Sequence, residues 1–254
     1  MFYVINLDYR VKYSEHIQNQ YKVIKDMNSR LGENVNLNSR YTKLIIVKEH
    51  RSKKEREHEI MDSGRRHAEI MTKQASCTTI NCLFDPDKDG QIPPIIVRQG
   101  AAGIGKTTAK KIMFDWAVGE LYQSKFDYVF YINCREINSG NEQGSVADLI
   151  LKNCPDQNAP VDKILRNPEK LLFIIDGFDE LRFSFAQSES NLCSDPFEKQ
   201  PAAVILSSLF RKKVLSKSYL IVTTRSTALE ELQQYFVLPS PSELFLSLPA
   251  PSKY

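Results

Sequence analysis

Apolar residues in the second part of the chain occur in short continuous runs that alternate with runs at helical spacing. Three runs, residues 94–99, 171–176 and 219–224, are almost wholly apolar and end in polar residues. Continuous runs of this length suit parallel strands that are buried on both faces of a sheet. Further strands are predicted at residues 127–133 and 243–248. Helical spacing of apolar residues predicts helices at 108–118, 146–151, 161–165, 202–215 and 227–236. The alternation predicts an α/β fold, a three-layer sandwich around a central, mostly parallel sheet.

Residues 1–93 have a different pattern, polar and rich in charge, with interspersed apolar residues. Apolar spacing predicts a helix at residues 13–31, and residues 43–47 favour a strand. Residues 48–71 mix acidic and basic side chains, which is typical of a solvated helix face; a membrane-surface or partner-binding patch is the alternative. We therefore predict a small mixed α/β segment at 1–93 and a nucleotide-binding domain at 94–250.

The stretch Gly-Ala-Ala-Gly-Ile-Gly-Lys-Thr at residues 100–107 fits the phosphate-binding P-loop pattern. Glycines let the backbone curl until successive N–H groups face phosphate oxygens, and the helix that follows adds its positive dipole end. Lys106 would reach the outer phosphates, and the Thr107 hydroxyl would complete a Mg²⁺ shell. The predicted flanks, a strand before the loop and a helix after it, are those that a P-loop requires.

Acidic and basic residues follow the other two apolar strands. Asp176 ends one strand and can hold Mg²⁺, directly or through water. Asp179 and Glu180 follow within four residues, and one of them could orient or deprotonate an attacking water. If the strand at 219–224 lies between the other two, Arg225 is aimed near the outermost phosphate, where it can sense or stabilise charge.

Composition narrows the remaining possibilities. The chain has 254 residues, a net charge of +3 and 42% hydrophobic content, which indicate a soluble globular protein and give no argument for nucleic acid. The five scattered cysteines indicate reduced thiols and therefore a cytoplasmic location. No apolar stretch is long enough to span a membrane. The four histidines all lie before residue 68, which argues against histidine-based catalysis in the predicted domain. An acidic turn at residues 85–90 lacks the twelfth-position glutamate of a Ca²⁺ loop.

Taken together, these motifs resemble the NACHT nucleotide-binding domain of NOD-like receptors, in the pyrin-containing (NLRP) subfamily. The resemblance covers nearly the whole chain. Upstream, residues 30–33, 40–42 and 48–52 resemble the FISNA segment that precedes this domain. The NACHT resemblance rests on residues 100–107, 126–132 with 134–136, 176–181, and 223–225.

The resemblance implies a switch ATPase: ADP holds a closed state, and exchange for ATP opens the protein for oligomerisation into an inflammasome-type assembly of innate immunity. It implies Mg²⁺ at Thr107 and Asp176, hydrolysis through Asp179 and Glu180, and a sensor role for Arg225. Tyr41 and Thr42 match a segment that closes over the adenine in relatives. The expected nucleotide contacts are Ala102, Gly103, Ile104, Gly105, Lys106, Thr107 and Thr108.

The family pattern also includes parts that this sequence lacks, namely a pyrin domain, helical subdomains, a winged helix and leucine-rich repeats. We therefore expect a truncated receptor that contacts nucleotide and associates through NACHT surfaces with itself or with related receptors. A non-enzymatic decoy that pairs with full-length relatives is the alternative. An ordinary P-loop enzyme such as a kinase is disfavoured, because no basic lid segment with clustered arginines is found.

Overall fold

The structure is a computed structural model that describes residues 2–25, 34–36, 44–48, 77–78, 80–86, 90–99, 104–138, 143–183, 191–229, 231–232 and 244–249. Its strands are β1 (Val23–Lys25), β2 (Asn34–Asn36), β3 (Leu44–Lys48), β4 (Cys77–Thr78), β5 (Ile95–Gln99), β6 (Tyr128–Asn133), β7 (Leu171–Asp176), β8 (Tyr219–Thr224) and β9 (Leu244–Pro249). Its helices are α1 (Phe2–Tyr21), α2 (Ile104–Ala117), α3 (Cys134–Ile137), α4 (Val146–Leu151), α5 (Val161–Ile164) and α6 (Ala202–Phe210).

Within these residues, seven strands form one sheet in the order β4–β3–β9–β5–β8–β7–β6. The strands from β9 to β6 run parallel to one another. Strand β3 is antiparallel to both of its neighbours, β4 and β9, so the segment before the P-loop extends the same sheet. The predicted α/β fold with a mostly parallel central sheet is confirmed, and it is the fold of a P-loop NTPase.

Burial explains why the central strands form where they do. All six residues of β7 and five of the six in β8 are buried, so both faces of the sheet are covered there. Helices α2 and α6 supply apolar residues to the same core, among them Ile112, Trp116 and Leu209. The sequence places the bounds of β7, β8 and α4 where the structure has them. Strands β3 and β9 lie within one residue of prediction.

Helix α1 differs from the prediction at both ends. It begins at Phe2 and ends at Tyr21, whereas apolar spacing favoured residues 13–31. The chain after Tyr21 instead forms β1, which pairs antiparallel with β2. The helix packs through Tyr13, Ile17 and Tyr21, which are buried. The Tyr13 hydroxyl donates to the Val129 carbonyl at 2.8 Å, so α1 lies against the β6 edge of the sheet.

Helix α6 is shorter than predicted, because it ends at Phe210 and not at residue 215. The backbone at Lys212 and Leu215 has φ angles of 54° and 48°, a left-handed conformation that a helix cannot continue. Residues 226–228 form a 3₁₀ turn, and the described residues after it, 229 and 231–232, are helical and lie within the helix predicted at 227–236. Residues 49–71, which hold most of the charged run, and residues 87–89 of the acidic turn lie outside the described residues. None of the described helices is both long and apolar enough to cross a membrane.

Candidate functional site

Strand order brings Asp176, Asp179 and Arg225 to one edge of the sheet. Strand β8 lies between β5 and β7, which is the arrangement that a role for Arg225 required. Because the three strands are parallel, their carboxyl ends meet at a single edge, with Gln99 opposite Thr224 and Asp176 one position beyond the β7–β8 register. In open α/β sheets, ligands bind outside these carboxyl ends. We call the group formed by Asp176, Asp179, Thr223 and Arg225 the carboxyl edge.

Asp176 is the buried anchor of this group, with only 2% of its surface exposed. Its Oδ1 accepts a hydrogen bond from the Thr223 hydroxyl at 2.6 Å, and its Oδ2 accepts one from the Tyr131 hydroxyl at 2.8 Å. Burial, followed by the nearby Asp176 carboxylate, raises the pKa of Tyr131 well above its usual value, so the phenol remains a donor. Each carboxylate oxygen has two acceptor positions, so capacity remains for a further ligand.

The turn after β7 places the two other acids. Gly177 has φ of +80°, a left-handed conformation that a glycine adopts without a steric penalty. Its N–H donates to the Thr223 hydroxyl oxygen at 2.9 Å, so one threonine holds both Asp176 and the start of the turn. The 3₁₀ turn Phe178–Glu180 follows, and the buried Phe178 ring packs against Phe210. The turn therefore fixes the backbone that carries Asp179 and Glu180.

Arg225 is bound to Asp179 by two contacts. Its backbone N–H donates to Asp179 Oδ1 at 3.1 Å, and its side-chain Nε lies 3.0 Å from Asp179 Oδ2. The arginine side chain is 53% exposed, whereas that of the aspartate is 12% exposed. The predicted sensor arginine and one of the predicted hydrolytic acids therefore form an ion pair in this structure.

Asn138, the residue that follows α3, holds the same turn in place, a role that the sequence did not suggest. Its amide donates to the Glu180 carbonyl at 2.6 Å and accepts from the Arg182 N–H at 3.0 Å. The neighbouring Cys134 thiol is buried close to the three carboxylates. Burial raises the pKa of Cys134, and the carboxylates of Asp176, Asp179 and Glu180 raise it further. Three carboxylates therefore lie near this buried thiol.

The P-loop is partly within the described residues. Strand β5 ends at Gln99 and α2 begins at Ile104, so the predicted strand and helix do flank the loop. Thr107 is partly exposed and Thr108 is buried. Some predicted contacts lie outside the described residues: Ala102 and Gly103, the side chains of Ile104 and Lys106, and the adenine contacts Tyr41 and Thr42. Gly105 lies in the first turn of α2.

The donor set at this edge fits Mg²⁺. Asp176 is a buried carboxylate whose two described hydrogen-bond donors are neutral hydroxyls, and the described side chains include no ion pair to it. Thr107, in the first turn of α2, is the residue that the sequence predicts as a second oxygen ligand. Among the described residues, no group of three or more His, Cys, Asp or Glu side chains is arranged to hold a metal. One carboxylate with a hydroxyl is the usual protein contribution to Mg²⁺ that is bound with phosphates.

Sequence reasoning missed Tyr131 and Thr223, both of which contact Asp176. Thr223 carried a weak signal, because it is a polar residue at the end of an apolar strand. Tyr131 carried none, since its partner lies 45 positions away along the chain. Their role depends on the pairing of β6, β7 and β8, which a single sequence does not specify.

Residues 94–248 match the NACHT domain family, and residues 13–84 match the Fish-specific NACHT associated domain. The chain is 46% identical over 239 residues to "NACHT, LRR and PYD domains-containing protein 3" of Homo sapiens, covering 93% of this chain and 23% of that protein. It is 47% identical over 229 residues to the Bos taurus protein of the same name, covering 89% and 22%. It is 46% identical over 234 residues to "NACHT, LRR and PYD domains-containing protein 12" of Homo sapiens, covering 91% and 22%. The chain thus spans less than a quarter of the length of these relatives.

Proposed function

Because the chain belongs to the NACHT domain family and is of the NLRP type, we propose that it is the ATP/ADP-binding module of an innate-immune receptor. The observation that carries the proposal is the meeting of Asp176, Asp179 and Arg225 at the sheet edge beside the P-loop strand. A P-loop, a metal-binding acid and a charge-sensing arginine are the parts that phosphate recognition needs.

Binding of the phosphates falls to the P-loop and its metal. The residues 102–108 would cradle the phosphates, with Lys106 as a point charge on the outer ones. Thr107 and Asp176 would hold Mg²⁺, which would neutralise phosphate charge. Tyr41 and Thr42 would close over the adenine. Thr223 donates a hydrogen bond to the Asp176 carboxylate from the neighbouring strand.

The Asp179–Arg225 ion pair gives the site a way to distinguish ATP from ADP. A γ-phosphate carries more charge than a single carboxylate and forms bidentate hydrogen bonds with arginine, so it competes with Asp179 for Arg225. Release of Asp179 would then leave Asp179 and Glu180 able to orient or deprotonate water. Because Arg225 must exchange Asp179 for the γ-phosphate before either acid can act on water, we expect hydrolysis to be slow.

At the level of the assembly, we propose a nucleotide-dependent oligomerisation switch that works in the cytoplasm and contributes to an inflammasome-type complex. The partners would be other copies of the chain or related receptors, met through NACHT surfaces. None of the described side chains of Cys82, Cys134, Cys154 and Cys193 forms a disulfide, which supports a reducing compartment. Contact of the charged segment before residue 94 with an anionic membrane surface remains a separate proposal, which binding to anionic vesicles at low salt would test.

The test is nucleotide binding by the purified chain with Mg²⁺, comparing the wild type with Lys106→Ala. Loss of a charge-assisted contact is expected to weaken ADP and ATP about 10- to 100-fold. Lys110→Ala is the matched control, because Lys110 lies one turn further along α2. Equal nucleotide affinity in the wild type and in Lys106→Ala would show that the P-loop lysine does not bind the phosphates. No binding by folded wild-type protein would favour a non-enzymatic fragment that pairs with related receptors.

A further inference from the structure

Tyr131 has a contact that the proposed chemistry does not use. It lies in β6 opposite Ile174 of β7, and its hydroxyl reaches Oδ2 of Asp176 at 2.8 Å. Asp176 is thereby held from two strands, by Thr223 of β8 on one oxygen and by Tyr131 of β6 on the other. A carboxylate with a donor on each oxygen has a fixed orientation, so the acceptor positions that remain are fixed as well.

The same tyrosine contacts the N-terminal helix. The Tyr131 ring meets the ring of Tyr21, the last residue of α1, edge to face at 6.3 Å between centroids. Its backbone N–H donates to the Asn153 side-chain oxygen at 2.8 Å, which fixes the strand at this point. Tyr131 therefore touches α1 with its ring and the metal-binding acid with its hydroxyl.

We propose that Tyr131 is a positioning residue for Asp176 and that Tyr21, through the Tyr131 ring, makes the end of helix α1 part of the support of the Mg²⁺–nucleotide site. The inference rests on the proposed function, since it deepens the role of Asp176 in that same site. Donors to a metal-binding carboxylate typically affect metal affinity by about 10- to 100-fold when they are removed. Tyr131 is a cleaner probe than Thr223, because Thr223 also holds the Gly177 N–H and its loss would disturb the turn.

The experiment titrates Mg²⁺ into the full chain at a fixed, subsaturating concentration of a fluorescent ADP analogue, with an EDTA sample as the metal-free reference. Tyr131→Phe removes the hydroxyl and keeps the ring against Tyr21. We expect its half-maximal Mg²⁺ concentration to rise about 10-fold, with affinity in EDTA unchanged. Tyr21→Leu keeps the hydroxyl of Tyr131 and removes the ring that supports it, so it should give a smaller shift in the same direction.

Tyr13→Phe is the matched control. It also deletes a buried tyrosine hydrogen bond to the β6 region, here to the Val129 carbonyl, but the contact described for it is not with Asp176. Its half-maximal Mg²⁺ concentration should equal that of the wild type.

The outcomes separate this inference from the proposed function. If wild-type protein binds the ADP analogue in a Mg²⁺-dependent manner and Tyr131→Phe responds to Mg²⁺ as Tyr13→Phe does, the positioning role is wrong and the proposed function stands. A loss of affinity of equal size with Mg²⁺ and with EDTA would also overturn it, because a general structural effect is not metal-specific. If the folded wild type binds no nucleotide, both the function and the inference fail.

Discussion

Two neighbouring regions of the molecule, one around β6 and one at the carboxyl ends of β7 and β8, are held together by different kinds of interaction. We call the buried rings of Tyr13, Trp116, Tyr128 and Phe130 the aromatic flank. The centroids of the other three rings lie 5.5 to 5.7 Å from the centroid of the Tyr13 ring. The carboxyl edge instead joins Asp176, Asp179, Thr223 and Arg225 by hydrogen bonds and one ion pair. Apolar burial stabilises the first region, whereas desolvation of charge offsets most of what the second gains. The difference suggests that the carboxyl edge exists for binding and the flank for stability.

The largest effect expected on stability lies in the flank. Trp116 is 1% exposed and its indole N–H donates to the Phe126 carbonyl at 3.0 Å. Trp116→Ala should lower the free energy of unfolding by about 3–5 kcal/mol, because it leaves a cavity. Urea unfolding followed by far-ultraviolet circular dichroism measures this change. Trp116→Phe should lose less. If Trp116→Ala instead abolished nucleotide binding and left the free energy of unfolding unchanged, the assignment of stability to the flank and of binding to the carboxyl edge would be wrong.

The reverse pattern is expected at Asp176. Asp176→Asn should abolish the effect of Mg²⁺ on ADP affinity and change the free energy of unfolding by only about 1 kcal/mol. The reason is that the amide keeps the size of the carboxylate and loses its charge. Nucleotide titrations with Mg²⁺ and with EDTA, together with urea unfolding, measure both quantities. Retained Mg²⁺ dependence would place the metal elsewhere.

The ability to predict these regions from sequence also differs. Strands β7 and β8 were predicted with their observed bounds, because burial on both faces leaves continuous apolar runs. Helix α1 was misplaced, since residues 17, 21, 24 and 27 have helical spacing but Val23–Lys25 pairs with Asn34–Asn36 instead. The motifs indicated Asp176, Asp179 and Arg225 as a set. The contacts from Tyr131 and Thr223, and the pairing of Arg225 with Asp179, arise only from strand order and so were not predictable.

Arg225 should sharpen the comparison further. Its ion pair with Asp179 is half-exposed, so Arg225→Ala should change the free energy of unfolding by less than about 1 kcal/mol. The preference for ATP over ADP should fall about 10-fold, the size of one charge-assisted hydrogen bond. Competition titrations of the two nucleotides measure this ratio. Arg166→Ala, at an exposed arginine after α5, should leave it unchanged. An unchanged ratio in Arg225→Ala would exclude the sensor role.

The smallest expected effect is a loss of stability at alkaline pH that arises from two tyrosines, Tyr21 at the end of α1 and Tyr128 in β6. Burial is the main cause that raises the pKa of both Tyr21 and Tyr128 from 10.0 to about 12. The folded protein holds the two phenol protons more tightly than the unfolded chain does. Their contribution to the free energy of unfolding is therefore fully present below pH 10 and is lost as the pH rises through about 12. At pH 11 each should cost about 1 kcal/mol of stability relative to pH 8. Urea unfolding of Tyr128→Phe and of the wild type at both pH values measures the difference. An identical pH dependence would contradict it.

The most direct test of a nucleotide site at the carboxyl edge is amide hydrogen exchange with and without saturating ADP and Mg²⁺. Peptides that cover residues 100–108, 176–181 and 223–226 should exchange more slowly with nucleotide, because these segments line the proposed site. Peptides from α1 and β6 should change less. Protection confined to other parts of the chain, with none at residues 176–181 and 223–226, would contradict the account.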